Sequence, residues 1–140
     1  MEADMRVWKR ASVVAAGVVC SLVLAGTAAA QKSGEQVYKS ACIECHATGV
    51  DKAPKFGDRK EWASRIREGQ APLTAEGWLG VRKMPARGGK PELTLAEFSD
   101  AVAFMARSAG ADWKDPDEKM LARIAAQEKK LLDRRKAKKS

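Results

Sequence analysis

With 140 residues, of which 6% are aromatic and 31% charged, the chain has room for one small domain and little apolar surface with which to fill its core unaided. No segment repeats at a fixed period, which excludes a solenoid or an array. A formal charge of +8 favours acidic partners or anionic membranes and bears on association rather than on fold.

Residues 1–30 differ from the rest. Arg6, Lys9 and Arg10 precede an uncharged stretch from Ala11 to Ala30 that closes on Ala28-Ala29-Ala30, the pattern of a secretory signal peptide cleaved after Ala30. The alternative is an uncleaved N-terminal anchor in the inner membrane, because such a stretch is just long enough to span a bilayer. Cys20 is discarded with a cleaved signal. The remaining chain carries 23 basic and 16 acidic residues, a formal +7. Export to a bacterial periplasm, and the lack of any recognition motif, argue against nucleic acid as a partner.

Residues 31–111 form the domain. Capping boxes, in which a short polar residue is followed three places later by Glu or Gln, predict helix starts at Ser33 with Gln36, Asp58 with Glu61, and Thr94 with Glu97. Val37, Tyr38, Ala41, Cys42 and Cys45 then make one apolar stripe. Trp62 and Ile66 pair at i and i+4, and Gly69 stops that helix. Leu95, Phe98, Ala101, Val102 and Met105 line a third helix that Gly110 ends. No run alternates in strand fashion, and Pro54, Gly57, Pro72, Pro85, Gly88, Gly89 and Pro91 punctuate the segments between. The expectation is an all-α domain whose long loops need something to pack on.

Residues 112–140 read as a basic amphipathic helical extension. A fourth box, Asp115 with Glu118, opens it, and Met120, Leu121, Ile124, Ala125, Leu131 and Leu132 share a face. Its end is Arg134-Arg135-Lys136-Ala137-Lys138-Lys139. The segment holds ten basic and six acidic residues, +4 of the +7. It is either a helix that docks on an acidic partner or an anionic membrane, or a solvated tail.

The chemistry sits at Cys42-Ile43-Glu44-Cys45-His46, the attachment pattern of a c-type haem. On a helix the two cysteines face one way, so both sulfurs reach the vinyl groups along one porphyrin edge, and His46 reaches the iron. A thioredoxin-like site would want strands around it. Structural zinc would want a fourth ligand once Cys20 is gone. A plain disulfide would leave the histidine idle. Because His46 is the only histidine, the sixth ligand is Met, Lys, a small molecule or nothing. Met105 belongs to a core stripe and Met120 to the extension. Met84 stands in the Pro/Gly-rich run Lys83-Met84-Pro85-Ala86-Arg87-Gly88-Gly89, which can present a thioether from non-helical backbone.

Residues 34–109 resemble a class I cytochrome c, most closely cytochrome c5. The likeness rests on the Cys-x-x-Cys-His-Ala-x-Gly-Val run, Ala53-Pro54-Lys55, Gly57-Asp58, Trp62-Ala63, Arg65-Ile66, Gly69, Met84-Pro85 and Gly88-Gly89. It implies a small all-α fold wrapped round one covalent haem, with the first and last domain helices crossing so that Gly34 and Tyr38 meet Phe104. It also implies that the Pro54 carbonyl accepts a hydrogen bond from the non-ligating nitrogen of His46, and that Trp62 and Arg65 lie near the haem propionates. The extra cysteine pair some members carry after Gly-Gly is absent here, where Lys90-Pro91-Glu92-Leu93 stands. The implied function is single-electron shuttling between extracytoplasmic or membrane-bound redox partners with acidic docking surfaces, without transforming a substrate and hence not an enzyme. Two alternatives are a five-coordinate haem that senses or reacts with a small ligand, and a dedicated haem subunit of a larger oxidoreductase.

Overall fold

The computed structural model describes residues 30–139. The signal or anchor segment and Cys20 lie outside the described residues. Among those described, regular structure is helical and no strand forms beyond one isolated bridge between Val81 and Met84.

Helices α1 (Gly34–Val37) and α2 (Ile43–His46) are the two ends of one continuous rod, joined by a wider stretch, Tyr38–Cys42. The start is the expected reciprocal cap: Ser33 Oγ accepts from the Gln36 amide at 3.3 Å, and Gln36 Oε1 accepts from the Ser33 amide at 2.9 Å. Helix α3 spans Arg59–Glu68. Asp58 Oδ1 caps it by accepting from the Lys60 and Glu61 amides, both at 3.0 Å. The return half of that box is missing, because Glu61 accepts instead from the Lys55 amide at 2.8 Å. Helix α5, Leu95–Ser108, has the full Thr94/Glu97 box.

Helix α4, Gln70–Leu79, has no side-chain cap and therefore no capping signal in the sequence. Gly69 (φ 96°) does end α3, but α4 begins directly after it. Pro72, taken as a loop residue, is in the first turn, where an amide donor has no intrahelical partner to lose. The final helix, α6, runs Glu118–Ala137 and is capped by Asp117, which accepts from the Met120 amide at 2.7 Å. The expected Asp115/Glu118 box does not form, since the Asp115 carboxylate pairs with Arg107 at 2.8 Å.

Helix α1 crosses α5 at close range, as the family resemblance implies. Gly34 is buried against the Asp100 backbone, and an added Cβ would lie 3.1 Å from the Phe104 Cβ. The rings of Tyr38 and Phe104 meet at a tilt, with centroids 5.8 Å apart. The main core joins Val37, Tyr38, Cys42, Trp62, Trp78, Leu93, Phe98, Val102 and Met105.

A second, smaller core seats α6 on α4, with Ile124 fully buried between Ala71 and Ala75 and flanked by Met120, Leu121 and Leu131. Ala125 and Leu132, expected on the same face, are exposed. The connector is tied down as well: Gln70 Nε2 donates to the Lys114 carbonyl at 2.8 Å and Arg107 Nη1 to that of Trp113 at 3.2 Å. The apolar face of the C-terminal helix is thus covered by the chain's own domain.

Candidate functional site

Cys42 sits where the first rod is widest, the Ile43 amide reaching back five residues to the Tyr38 carbonyl. Such wide turns recur at functional sites because they re-aim side chains within an otherwise regular helix. Cys42 is buried and Cys45 exposed, and both are free thiols. Burial, with Cys45 nearby as a lesser cause, pushes the Cys42 thiol up to about 11.

His46 is buried, with 6% of its surface exposed. Its Nδ1 lies 2.8 Å from the Pro54 carbonyl oxygen. A carbonyl only accepts, so Nδ1 carries the proton and Nε2 keeps its lone pair for a metal. The His46 carbonyl in turn accepts from the Phe56 amide at 2.7 Å, which holds the following loop against the ring. Trp62 stands 6.2 Å from the His46 ring, centroid to centroid, and its indole N–H donates to the Lys55 carbonyl at 2.9 Å. Consecutive carbonyls, those of Pro54 and Lys55, therefore fix both rings. Arg65 is half-buried and donates from Nη1 to the Glu61 carbonyl at 2.7 Å. Together with Pro54, Thr48, Lys52 and Glu61 it lines a shallow surface depression.

Met84 ends a tight turn in which Val81 and Met84 exchange both backbone hydrogen bonds, at 3.1 and 2.9 Å, with Arg82 at φ 53°. Gly80 must be glycine there: its φ is 81° and an added Cβ would stand 2.8 Å from the Ala86 nitrogen. The half-buried Met84 side chain packs on the main core, its methyl beside Gly77. Met105 is only 3% exposed and belongs wholly to that core. After Met84 the chain turns through Ala86–Gly89, where Gly88 comes up to the Ala41 carbonyl on the helix that bears Cys42.

Trp78 and Thr74 belong to the unexpected α4, and Arg87, part of the Met84 run, has a role that only its contact with Trp78 shows. Trp78 packs edge-on against Phe98 with centroids 5.5 Å apart. Arg87, at φ 55°, lies over Trp78 and also donates to the Pro91 carbonyl at 2.9 Å. Thr74 shares the inner face of α4 with Gly77 and Trp78 by helical spacing. It is fully buried, and its hydroxyl has no partner among the described residues.

The donor set fits a c-type haem. Two unpaired thiols and an imidazole with Nε2 left free are the groups that thioether attachment and axial ligation require. Among the described residues no three His, Cys, Asp or Glu gather to hold a bare ion, which disfavours the zinc reading. The orphaned Thr74 hydroxyl calls for a polar atom from outside the chain.

Comparison with known proteins bears on the same pattern. Residues 29–105 match the family model described as "Cytochrome C oxidase, cbb3-type, subunit III". The chain belongs to the cytochrome c family. As a member it carries a covalently attached c-type haem with iron. It is 40% identical over 99 residues to cytochrome c-555 of Chlorobaculum tepidum, covering 66% of this chain and 92% of that one. Cytochrome c5 of Azotobacter vinelandii is 33% identical over 76 residues, covering 53% of this chain and 92% of that one. In the crystal structure of an electron transfer complex of nitrite reductase with cytochrome c, a chain 43% identical superposes with a TM-score of 0.53, covering 54% of this chain and 93% of that one. The family match ends at residue 105, within α5, and does not include α6.

Proposed function

We propose that this cytochrome c carries single electrons, with thioether bonds at Cys42 and Cys45 and iron held by His46 and Met84. The observation that carries the reading is the buried His46, its Nδ1 spent on the Pro54 carbonyl 2.8 Å away, one turn beyond two free thiols. The haem supplies an iron that alternates between ferrous and ferric. The chain's own residues orient the imidazole, hold Met84 on a fixed turn and exclude water with the Trp62, Trp78 and Phe98 cluster. A thioether ligand and burial favour ferrous iron and raise the potential.

Its partners are redox proteins. The last turn of α6 carries Arg134, Arg135 and Lys136, and Arg135 contacts the chain just before Arg82 and Lys83. This basic flank beside the Met84 turn suits an acidic docking surface on a partner, and it would also attract an anionic membrane. The sequence of residues 1–30 supports export to the periplasm, with the segment either cleaved or kept as an inner-membrane anchor. Among the described residues no helix is long and apolar enough to cross a membrane. Electron carriage transforms no substrate, so the chain acts as a carrier and not as an enzyme.

The test begins with haem staining of a denaturing gel, using protein matured in a host competent for c-type haem. A colourless band would sink the covalent reading. Met84→Ala should keep the haem, lower the potential and abolish the sulfur-to-ferric-iron charge-transfer band, while Met105→Leu keeps the band, since a volume-conserving swap in a core is tolerated. The reverse pattern reassigns the ligand to Met105, a band kept by both variants points to another sulfur such as Met120, and a wild-type protein with no band at all favours a five-coordinate haem open to small ligands. The oxidase-subunit description of the matching family model favours one second reading, a dedicated subunit of a larger oxidoreductase. Stoichiometric co-purification with a membrane-bound partner distinguishes that from a free shuttle.

A further inference from the structure

The C-terminal helix ends on the segment that presents Met84. Arg135 Nη2 donates to the Gly80 carbonyl at 2.9 Å and Nη1 to the Leu79 carbonyl at 3.4 Å. Leu79 is the last residue of α4, and its carbonyl is one of those a helix end leaves without an intrahelical partner. Gly80 is the left-handed hinge from which the Val81–Met84 turn departs. A cation at a helix C-terminus is favoured by the aligned peptide dipoles, and a guanidinium fork spans two neighbouring carbonyls as an ammonium cannot. Arg135 is held at that spot by the helix behind it, since Ile124 is fully buried against Ala71 and Ala75, with Leu131 packed on the same seam.

We infer that α6 is an internal brace for the iron-ligand loop, and that Arg135 is a positioning residue that keeps Met84 from swinging away. The inference rests on Met84 being the sixth ligand. Its physical content is an equilibrium between a seated and an open Val81–Met84 turn. An exogenous ligand binds only the open form, so its apparent affinity is reduced by the fraction of protein that is open. Removing a hydrogen-bonding cation from the hinge raises that fraction. A charge-assisted hydrogen bond corresponds to about tenfold in such an equilibrium, and the exposed position of Arg135 reduces the expected effect to about threefold to tenfold.

The experiment is cyanide titration of the ferric haem protein, full chain, for wild type, Arg135→Gln, Arg135→Lys, Met84→Ala and the double variant Met84→Ala/Arg135→Gln. Arg135→Gln should bind cyanide about threefold to tenfold more tightly than wild type, with Arg135→Lys in between. In the Met84→Ala background the same change should have no effect, because no thioether is left to displace. Hydrogen exchange at the Val81 and Met84 amides, which bond each other's carbonyls, should quicken in Arg135→Gln. Unchanged cyanide affinity in Arg135→Gln overturns the brace, as does equal tightening with and without Met84. If Met84→Ala alone leaves cyanide affinity at the wild-type value, the ligand assignment itself fails and the brace falls with it.

Discussion

The guanidinium of Arg87 lies over the indole of Trp78, 4.3 Å from the ring centroid. It keeps this place although its own backbone is in the left-handed region, φ 55°. Stacking of this kind offsets about 1 kcal/mol, and the backbone strain costs an arginine about as much. The two nearly cancel, and what remains is position: the strap ties the turn after Met84 to α4.

Arg87→Ala and Arg87→Gly should therefore separate strain from stacking. Alanine loses the cation and keeps the strained backbone, so a loss of about 1–2 kcal/mol is expected in urea unfolding. Glycine relaxes the backbone and should come close to wild type. If both variants lose equally, the left-handed conformation is not a cost the arginine covers.

Gly34→Ala should be far more harmful than a surface helix position suggests. Alanine is normally the better helix former, yet here the added Cβ would collide with the Asp100 carbonyl. Overpacking of a helix crossing costs about 3 kcal/mol, read as a drop in the urea midpoint with haem still attached on a stained gel. A neutral result would mean that α1 and α5 slide apart freely.

Asp100 gives the fold a pH dependence of definite sign. The side chain is buried beside α1 and accepts from Gln31 Nε2 at 2.7 Å. Burial raises its carboxyl above the ordinary value, the Gln31 bond lowers it, Asp115 and Glu97 add repulsion and Arg107 offsets part of that. The folded protein therefore holds this proton more tightly than the unfolded chain does. The contribution of Asp100 to stability falls as pH rises from the ordinary carboxylate range through the raised value. Asp100→Asn keeps an acceptor for Gln31 and removes the charge. It should match or exceed wild-type stability at neutral pH, and its urea midpoint relative to wild type should rise as pH goes from about 3 to about 6. A clear loss of stability at neutral pH would show that the ionised carboxylate is needed.

Ile124→Ala measures what α6 contributes. A fully buried isoleucine in a small cluster costs about 3 kcal/mol when cut to alanine. Leu132→Ala, at a site 38% exposed, should cost well under 1 kcal/mol. Equal effects from the two would mean that α6 is not seated by the Ile124 face.

Local chemistry was legible in the sequence wherever neighbours in the chain carry it. Ser33 with Gln36 and Thr94 with Glu97 bond each other across three residues, so their boxes appear in the structure as expected. Glu61 and Asp115 find better partners in Lys55 and Arg107, and such partners are invisible to a pattern three residues long. Helix α4 was hidden because Gly69 ends one helix and begins the next, with a proline in the first turn. Losing α4 concealed Thr74 and Trp78, and with them the surface that covers α6. An amphipathic stripe such as Met120, Leu121, Ile124 and Leu131 announces that something covers it, and only the folded arrangement shows the cover to be α4.

The unequal burial of the two thiols sets an order on the life of the molecule. Once the first rod has packed on α5, Cys42 lies inside with 5% of its surface showing and its thiol pushed up to about 11. At neutral pH almost none of a thiol so placed is the reactive thiolate. Cys45 stays at the surface. On the proposed attachment at Cys42, that bond forms more readily while the chain is still open than after α1 and α5 have packed. Ligation first and compaction second is the order that this unequal burial favours.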